Sequence, residues 1–267
     1  MRVRPAAVAG FFYPENRAEL SAVLDACLGA AEAPRPGEPA PKALIVPHAG
    51  YVYSGPVAAS AFARLAPLAG TIRRVVLLGP AHRLDLRGLA APRAEGFATP
   101  LGVVPVDRAA IDALRDLPQV RVSDEPHFGE HSLEVQLPFL QRVLRGFALV
   151  PLVVGEASPE EVEQVIERSW GGPETLLVVS SDLSHYHDYA AAQRLDRAAC
   201  AAIEALDPDR LGPDAACGGI AVRGLLRAAR KHGLAARTLD LRSSGDTAGD
   251  RARVVGYGAW AFAGSAA

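Results

Sequence analysis

Three histidines in this chain stand just past the ends of greasy runs, an odd place for a polar side chain unless it is used. His48 follows "ALIVP", His82 follows "VVLLGPA", and His185 follows "LLVVSSDLS" with His187 two residues on. His131 precedes a helical pattern in "EPHFGEHSLE". In open α/β sheets the working crevice lies beyond the carboxyl ends of the strands, so parallel neighbours would deliver these imidazoles to one edge. Cys217 adds a thiol in "GPDAACGGIAVRGLL", where a Gly-Gly pair gives way to an amphipathic helix whose N-terminus favours a thiolate.

Two chemistries use such a set. Two imidazoles and a thiolate form a facial three-ligand group for iron(II), copper or zinc, with open positions for a reacting molecule. Asp182 and His185, both in "SSDLSH", are then free for acid/base work. Alternatively, Cys217, His185 and Asp182 make a nucleophilic Cys-His-Asp triad. Spacing alone does not separate the two. Tyr51 and Tyr53 offer hydroxyls near His48, and Gly50 and Gly55 are expected to bend the loop away from it. His232, in "ARKHG", reads as a helix C-terminal residue. His127 lies in a polar loop, and Cys27 and Cys200 read as packing residues.

The elements that must position these residues are legible in the pattern. Continuous apolar runs at 43–46, 74–79, 147–155, 175–181 and 253–264 fit strands buried on both faces. Helical patterns fall at 16–31, 55–66, 107–116, 132–145, 159–169, 189–206 and 217–232, with Pro138 expected to kink the fourth. The alternation predicts a single α/β domain over 1–267, with a mixed, largely parallel central sheet and helices on both faces.

Composition bounds the function. The 267 residues carry a formal net charge of −2, and only Lys42 and Lys231 are lysines, so no basic footprint for nucleic acid or an anionic membrane is present. Three cysteines without a CxxC pair point to a reducing, cytoplasmic setting. The apolar stretch before Tyr13-Pro14 is too short for a signal-peptide core, and no 18-residue apolar run predicts a membrane span.

The blocks "RPAAVAGFFYP", "PHAGYVYSG", "LLGPAH", "EHSLEVQLPFL", "VVSSDLSHY", "CGG" and "SSGDTAGDRARVVGYGAWAF" are collinear with those of the Memo family, which the chain resembles nearly end to end. Prokaryotic members carry the label AmmeMemoRadiSam system protein B. The resemblance implies a fold similar to class III extradiol dioxygenases, which are non-haem iron(II) enzymes. It implies His48, His82 and Cys217 as metal ligands and His185 in the place of a general base, with Asp182 and His131 as further polar groups of the same pocket. The metal it implies is iron(II) ahead of copper, and copper ahead of zinc. It also implies AMMECR1-like and radical-SAM proteins as partners, and a small molecule or peptide in the strand-end crevice. A thiolate replaces the dioxygenases' carboxylate ligand, and it is softer and itself oxidisable, so ring cleavage does not follow from the likeness. The expected function is a metal-binding redox protein or dioxygenase-like oxidoreductase. The alternative is a peptide- or protein-binding module on the same fold.

Overall fold

The structure is a computed structural model, and it describes residues 2–212 and 214–264. The apolar runs form strands because β-branched and leucine side chains bury on both faces of a sheet covered by helices. In chain order the first elements are β1 (Val3–Arg4), α1 (Arg17–Ala30), β2 (Ala43–Val46), α2 (Tyr51–Phe62), β3 (Arg74–Pro80) and β4 (Leu89–Ala91). Then come β5 (Gly96–Thr99), β6 (Gly102–Pro105), α3 (Arg108–Asp112), β7 (Val120–Val122), α4 (Leu137–Val143), β8 (Ala148–Val154) and α5 (Pro159–Arg168). The chain closes with β9 (Thr175–Ser180), β10 (His185–His187), α6 (Tyr189–Glu204), α7 (Gly219–Lys231), β11 (Leu234–Ser243), α8 (Ser244–Thr247) and β12 (Val254–Gly264).

The main sheet runs β10-β12-β2-β9-β3-β8-β4-β7, with β11 paired to β12. Its centre, β2-β9-β3-β8, is parallel throughout, whereas β12 is antiparallel to β2 and β4 is antiparallel to β8. A small sheet, β1-β5-β6, is paired separately and packs beside β8 through β6. Helices α1, α2 and α4 pack together, with α2 on β2, β11 and β12; α5 packs on α7, which lies on β3 and β9, and α6 lies on β11 and β12. This is the expected mixed α/β architecture, parallel at its centre and antiparallel toward its edges.

Sequence and structure part company at several elements, and the short strands β1, β4, β5, β6, β7 and β10 all lie outside the expected apolar runs. Strand β11 is absent from the expected strands because "LAARTLDLRS" is no continuous apolar run. It pairs along its length with β12 and mixes exposed and half-buried residues. The helix expected at 55–66 begins at Tyr51, directly after Gly50. Gly55 therefore lies inside it, where an added Cβ would sit 3.3 Å from Cys27 Sγ. Its role is close packing of α1 on α2, not a loop bend. Segment 132–145 opens with a 3-10 turn, Glu134–Gln136, and Pro138 falls in the first turn of α4. There its missing N–H costs nothing, so no kink is needed. The helix expected at 107–116 shortens to Arg108–Asp112, capped by Asp107 through the Ala110 N–H.

Candidate metal centre

Strands β2, β9 and β3 are parallel neighbours, and the second residue past each is polar: His48, Asp182 and His82. The chain leaving β9 then crosses the end of β2. Ser181 N donates to Val46 O at 2.8 Å, and two residues later Leu183 N donates to Gly256 O of β12 at 2.8 Å. This crossing sets His185 opposite Val255 on β12, beside the same edge. The buried Asp182 ties the turns together by accepting the His48 backbone N–H at 2.7 Å.

The third imidazole comes from the loop before α4. The buried Arg4 guanidinium pins this loop by donating to the carbonyls of His127 and Glu130 and to the Glu134 carboxylate. Ser132 Oγ donates to Pro80 O at 2.8 Å, laying the loop over the end of β3. His48, His82 and His131 thereby converge, with ring centroids 4.7 to 5.5 Å apart. Each offers a ring nitrogen within 4.8 Å of the others, a group that can hold a metal ion.

Hydrogen bonds behind the rings fix which nitrogen faces the site. Ser180 Oγ donates to Ser132 O at 2.6 Å and accepts from Gln136 Nε2 at 2.8 Å, while Gln136 Nε2 also donates to Pro47 O at 2.9 Å. With the serine proton already spent, His48 Nδ1, 2.8 Å from Ser180 Oγ, must be the donor. The Nε2 lone pair of His48 is then left for a ligand. His82 is set in the same way: its Nδ1 lies 3.0 Å from the Glu130 carboxylate and donates to it. Glu130 also accepts the backbone N–H groups of His82, His131 and Ser132. This is the carboxylate–histidine support that orients metal-binding imidazoles.

Charge follows the same design. Burial, with Coulombic help from His82, holds His48 down at about 3, and burial and then His48 hold His131 at about 4. Both imidazoles are neutral at working pH. Against the opposing effect of burial, hydrogen bonds from His82 and the Ser132 backbone hold the Glu130 carboxyl at about 2. Burial raises the Asp182 carboxyl. In front of the cluster lies an open crevice of about 880 Å³, into which Phe11, Phe12, Tyr53, His185 and Tyr186 also face.

The residues singled out in the sequence fall as follows. His48, His82 and His131 form the cluster, and Asp182 and His185 line the crevice with them. Cys217 is half-buried just before α7, outside the three-imidazole group, with its Sγ 3.3 Å from His48 Nε2 and accepting the Asp182 N–H at 3.2 Å. Gly218 permits this approach, because a Cβ there would meet Ser180 O at 2.7 Å. Among the described residues the hydrogen-bond partners of Cys217 Sγ are His48, Asp182 and Ser181; His185 is not one of them. Tyr51 is withdrawn from the site, its hydroxyl buried and donating to Val135 O at 2.7 Å. His232 caps α7 as expected, bonds to Glu167 and stacks on Trp170. Sequence reading gave no role to Glu130, Ser180 or Gln136. Their signal was adjacency to the motif histidines, but their function depends on partners distant in the chain.

Burial, and then the Asp182 charge, push the Cys217 thiol up to about 12 from an ordinary 9.0. That lowers its thiolate fraction about a thousandfold near neutral pH. In metal-free folded protein, iodoacetamide at pH 8 should therefore leave Cys217 unlabelled on a timescale that alkylates it fully in denaturant, as read by peptide mass spectrometry. Equal rates in the two states would contradict this environment.

A mixed α/β sheet whose parallel strands end on oriented imidazoles defines the class: a domain with a strand-end crevice and a candidate metal centre. The Memo-like protein family matches residues 4–261. A MEMO1 family protein of Aquifex aeolicus is 36% identical, covering 96% of this chain and 98% of its own length. One from Aeropyrum pernix is 38% identical at the same coverage of both chains, 96% and 98%. One from Thermotoga maritima is 37% identical, covering 95% and 97%. The chain belongs to the Memo family. The crystal structure of an uncharacterized Escherichia coli K12 protein shares its fold, with a TM-score of 0.52 over 80% of this chain and 98% of that one at 13% identity.

Proposed function

We propose that this chain is a mononuclear metal-binding redox protein of the cytoplasm, holding iron(II) or copper on His48 and His82. The observation that carries the reading is the preset lone pair: Ser180 and Glu130 take up the Nδ1 protons and leave both Nε2 atoms for a ligand. Cys217 is the third ligand. Two ligands sharing a metal at about 2.0 and 2.3 Å stand about 3.5 Å apart at the tetrahedral angle, close to the 3.3 Å between Cys217 Sγ and His48 Nε2. Binding would draw off the thiol proton, since metal affinity and ligand deprotonation are linked. The metal, held by these residues, would supply redox chemistry beside the crevice.

Around that position the chain's own groups bind and move protons. His185 serves as the general base, and Asp182 and His131 hold or relay protons beside it. Aromatic side chains at the mouth position a small molecule or peptide. The alternative, a binding module working with AMMECR1-like and radical-SAM proteins, is favoured by one observation: Phe11 stands 87% exposed at the crevice.

Metal analysis of protein purified without chelators tests the proposal. The native chain should carry close to one iron or copper per chain and the His48→Ala/His82→Ala variant almost none; equal content would refute it. Cys217→Ala should lose more metal than His131→Ala, and the reverse ranking would move the third ligand to the imidazole.

A further inference from the structure

Arg253, at the mouth of the crevice, is a cation that the fold leaves without a counter-charge. It lies just before β12 and faces the same cavity as the histidine cluster. Among the described residues no carboxylate is within ion-pairing reach of it, whereas Arg251 has Asp246 at 3.9 Å. Asp250, which also lines the crevice, turns its Oδ1 to the Ala252 N–H at 2.8 Å. Arg253 instead packs on Tyr186, its guanidinium carbon 5.2 Å from the ring centroid.

Tyr186 is unusual in its own right. It sits at φ 61, a left-handed conformation that side chains other than glycine adopt reluctantly, and the β10 register shifts across it. Such strain gathers where a side chain is placed for use. The bulge leaves the Tyr186 ring 64% exposed over the crevice instead of packing it into the core. Phe11, Phe12 and Tyr53 supply further aromatic surface to the same cavity. A guanidinium stacked on a ring keeps its in-plane N–H groups for a planar anion.

We propose that Arg253 and Tyr186 form an anion subsite, and that the crevice takes a small organic anion with an aromatic or apolar body. The anionic group meets the Arg253 guanidinium and the body lies against Phe11, Phe12 and Tyr53. The volume of about 880 Å³ suits a small molecule. The inference rests on the crevice being the functional site, and it is tested without metal, so its failure is separate from that of metal binding.

The probes are 1-anilinonaphthalene-8-sulfonate and its uncharged analogue N-phenyl-1-naphthylamine, titrated into metal-free protein and read by fluorescence. The sulfonate should bind at least tenfold more tightly than the neutral probe, and less tightly as salt rises. Arg253→Met should bring the two affinities within about threefold by weakening the sulfonate alone. Arg142→Met, in a separate surface cavity, should change neither, and His48→Ala/His82→Ala should keep the preference. Equal affinities in the native chain, a preference unchanged by Arg253→Met, or no binding of either probe would overturn the proposal.

Discussion

Metal-free protein should lose most of its stability between pH 7 and pH 5. Burial holds His48 at about 3, and His127 and His131 at about 4, all from an ordinary 6.5. A base whose folded pKa is depressed stays unprotonated while its unfolded counterpart takes up a proton, so stability falls as pH drops below 6.5. Each histidine contributes about 2 kcal/mol to this loss by pH 5, or about 6 kcal/mol for the three, comparable to the whole net stability of many domains. Asp182 and Asp196, raised by burial, oppose the trend as they approach their own titration. Denaturant midpoints at pH 7, 6 and 5 should fall steeply. A flat profile across that range would show that these imidazoles are not held neutral.

Glu130→Gln should cost about 3–5 kcal/mol of stability, the range for breaking a buried charged network from one side. The carboxylate gathers three backbone N–H groups and His82 Nδ1, and an amide cannot accept at both of its ends. Its depressed pKa, about 2 against 4.5, alone corresponds to about 3 kcal/mol. For a depressed carboxylate that stability is present above pH 4.5 and disappears as pH falls toward 2. Loss of the bond to His82 should also weaken metal binding about 10–100-fold, the usual cost of removing a carboxylate behind a ligating histidine. Thermal melting and chelator competition measure the two effects. Native melting together with native affinity in the variant would remove Glu130 from the account.

The central strands and the edge they share were readable because β2, β3, β8 and β9 are buried on both faces and therefore uniformly apolar. That pattern places His48, His82, Asp182 and His185 at one edge of the sheet. Strand β11 escaped it because it pairs with β12 alone and carries charges among its apolar residues. His131 was visible as a polar residue of the pocket, but its place in the imidazole cluster depends on Arg4, about 127 positions away in the chain, pinning the loop that carries it. The supports Glu130, Ser180 and Gln136 are ordinary polar residues in sequence. Only the folded hydrogen-bond pattern shows that they choose the tautomers of His82 and His48.

The most direct test of the central claim is anomalous diffraction at the iron and copper absorption edges from crystals of the native chain grown without chelators. One peak is expected at either edge, bonded through Nε2 of both His48 and His82. No peak at either edge, or a peak bonded to neither Nε2 atom, would contradict it.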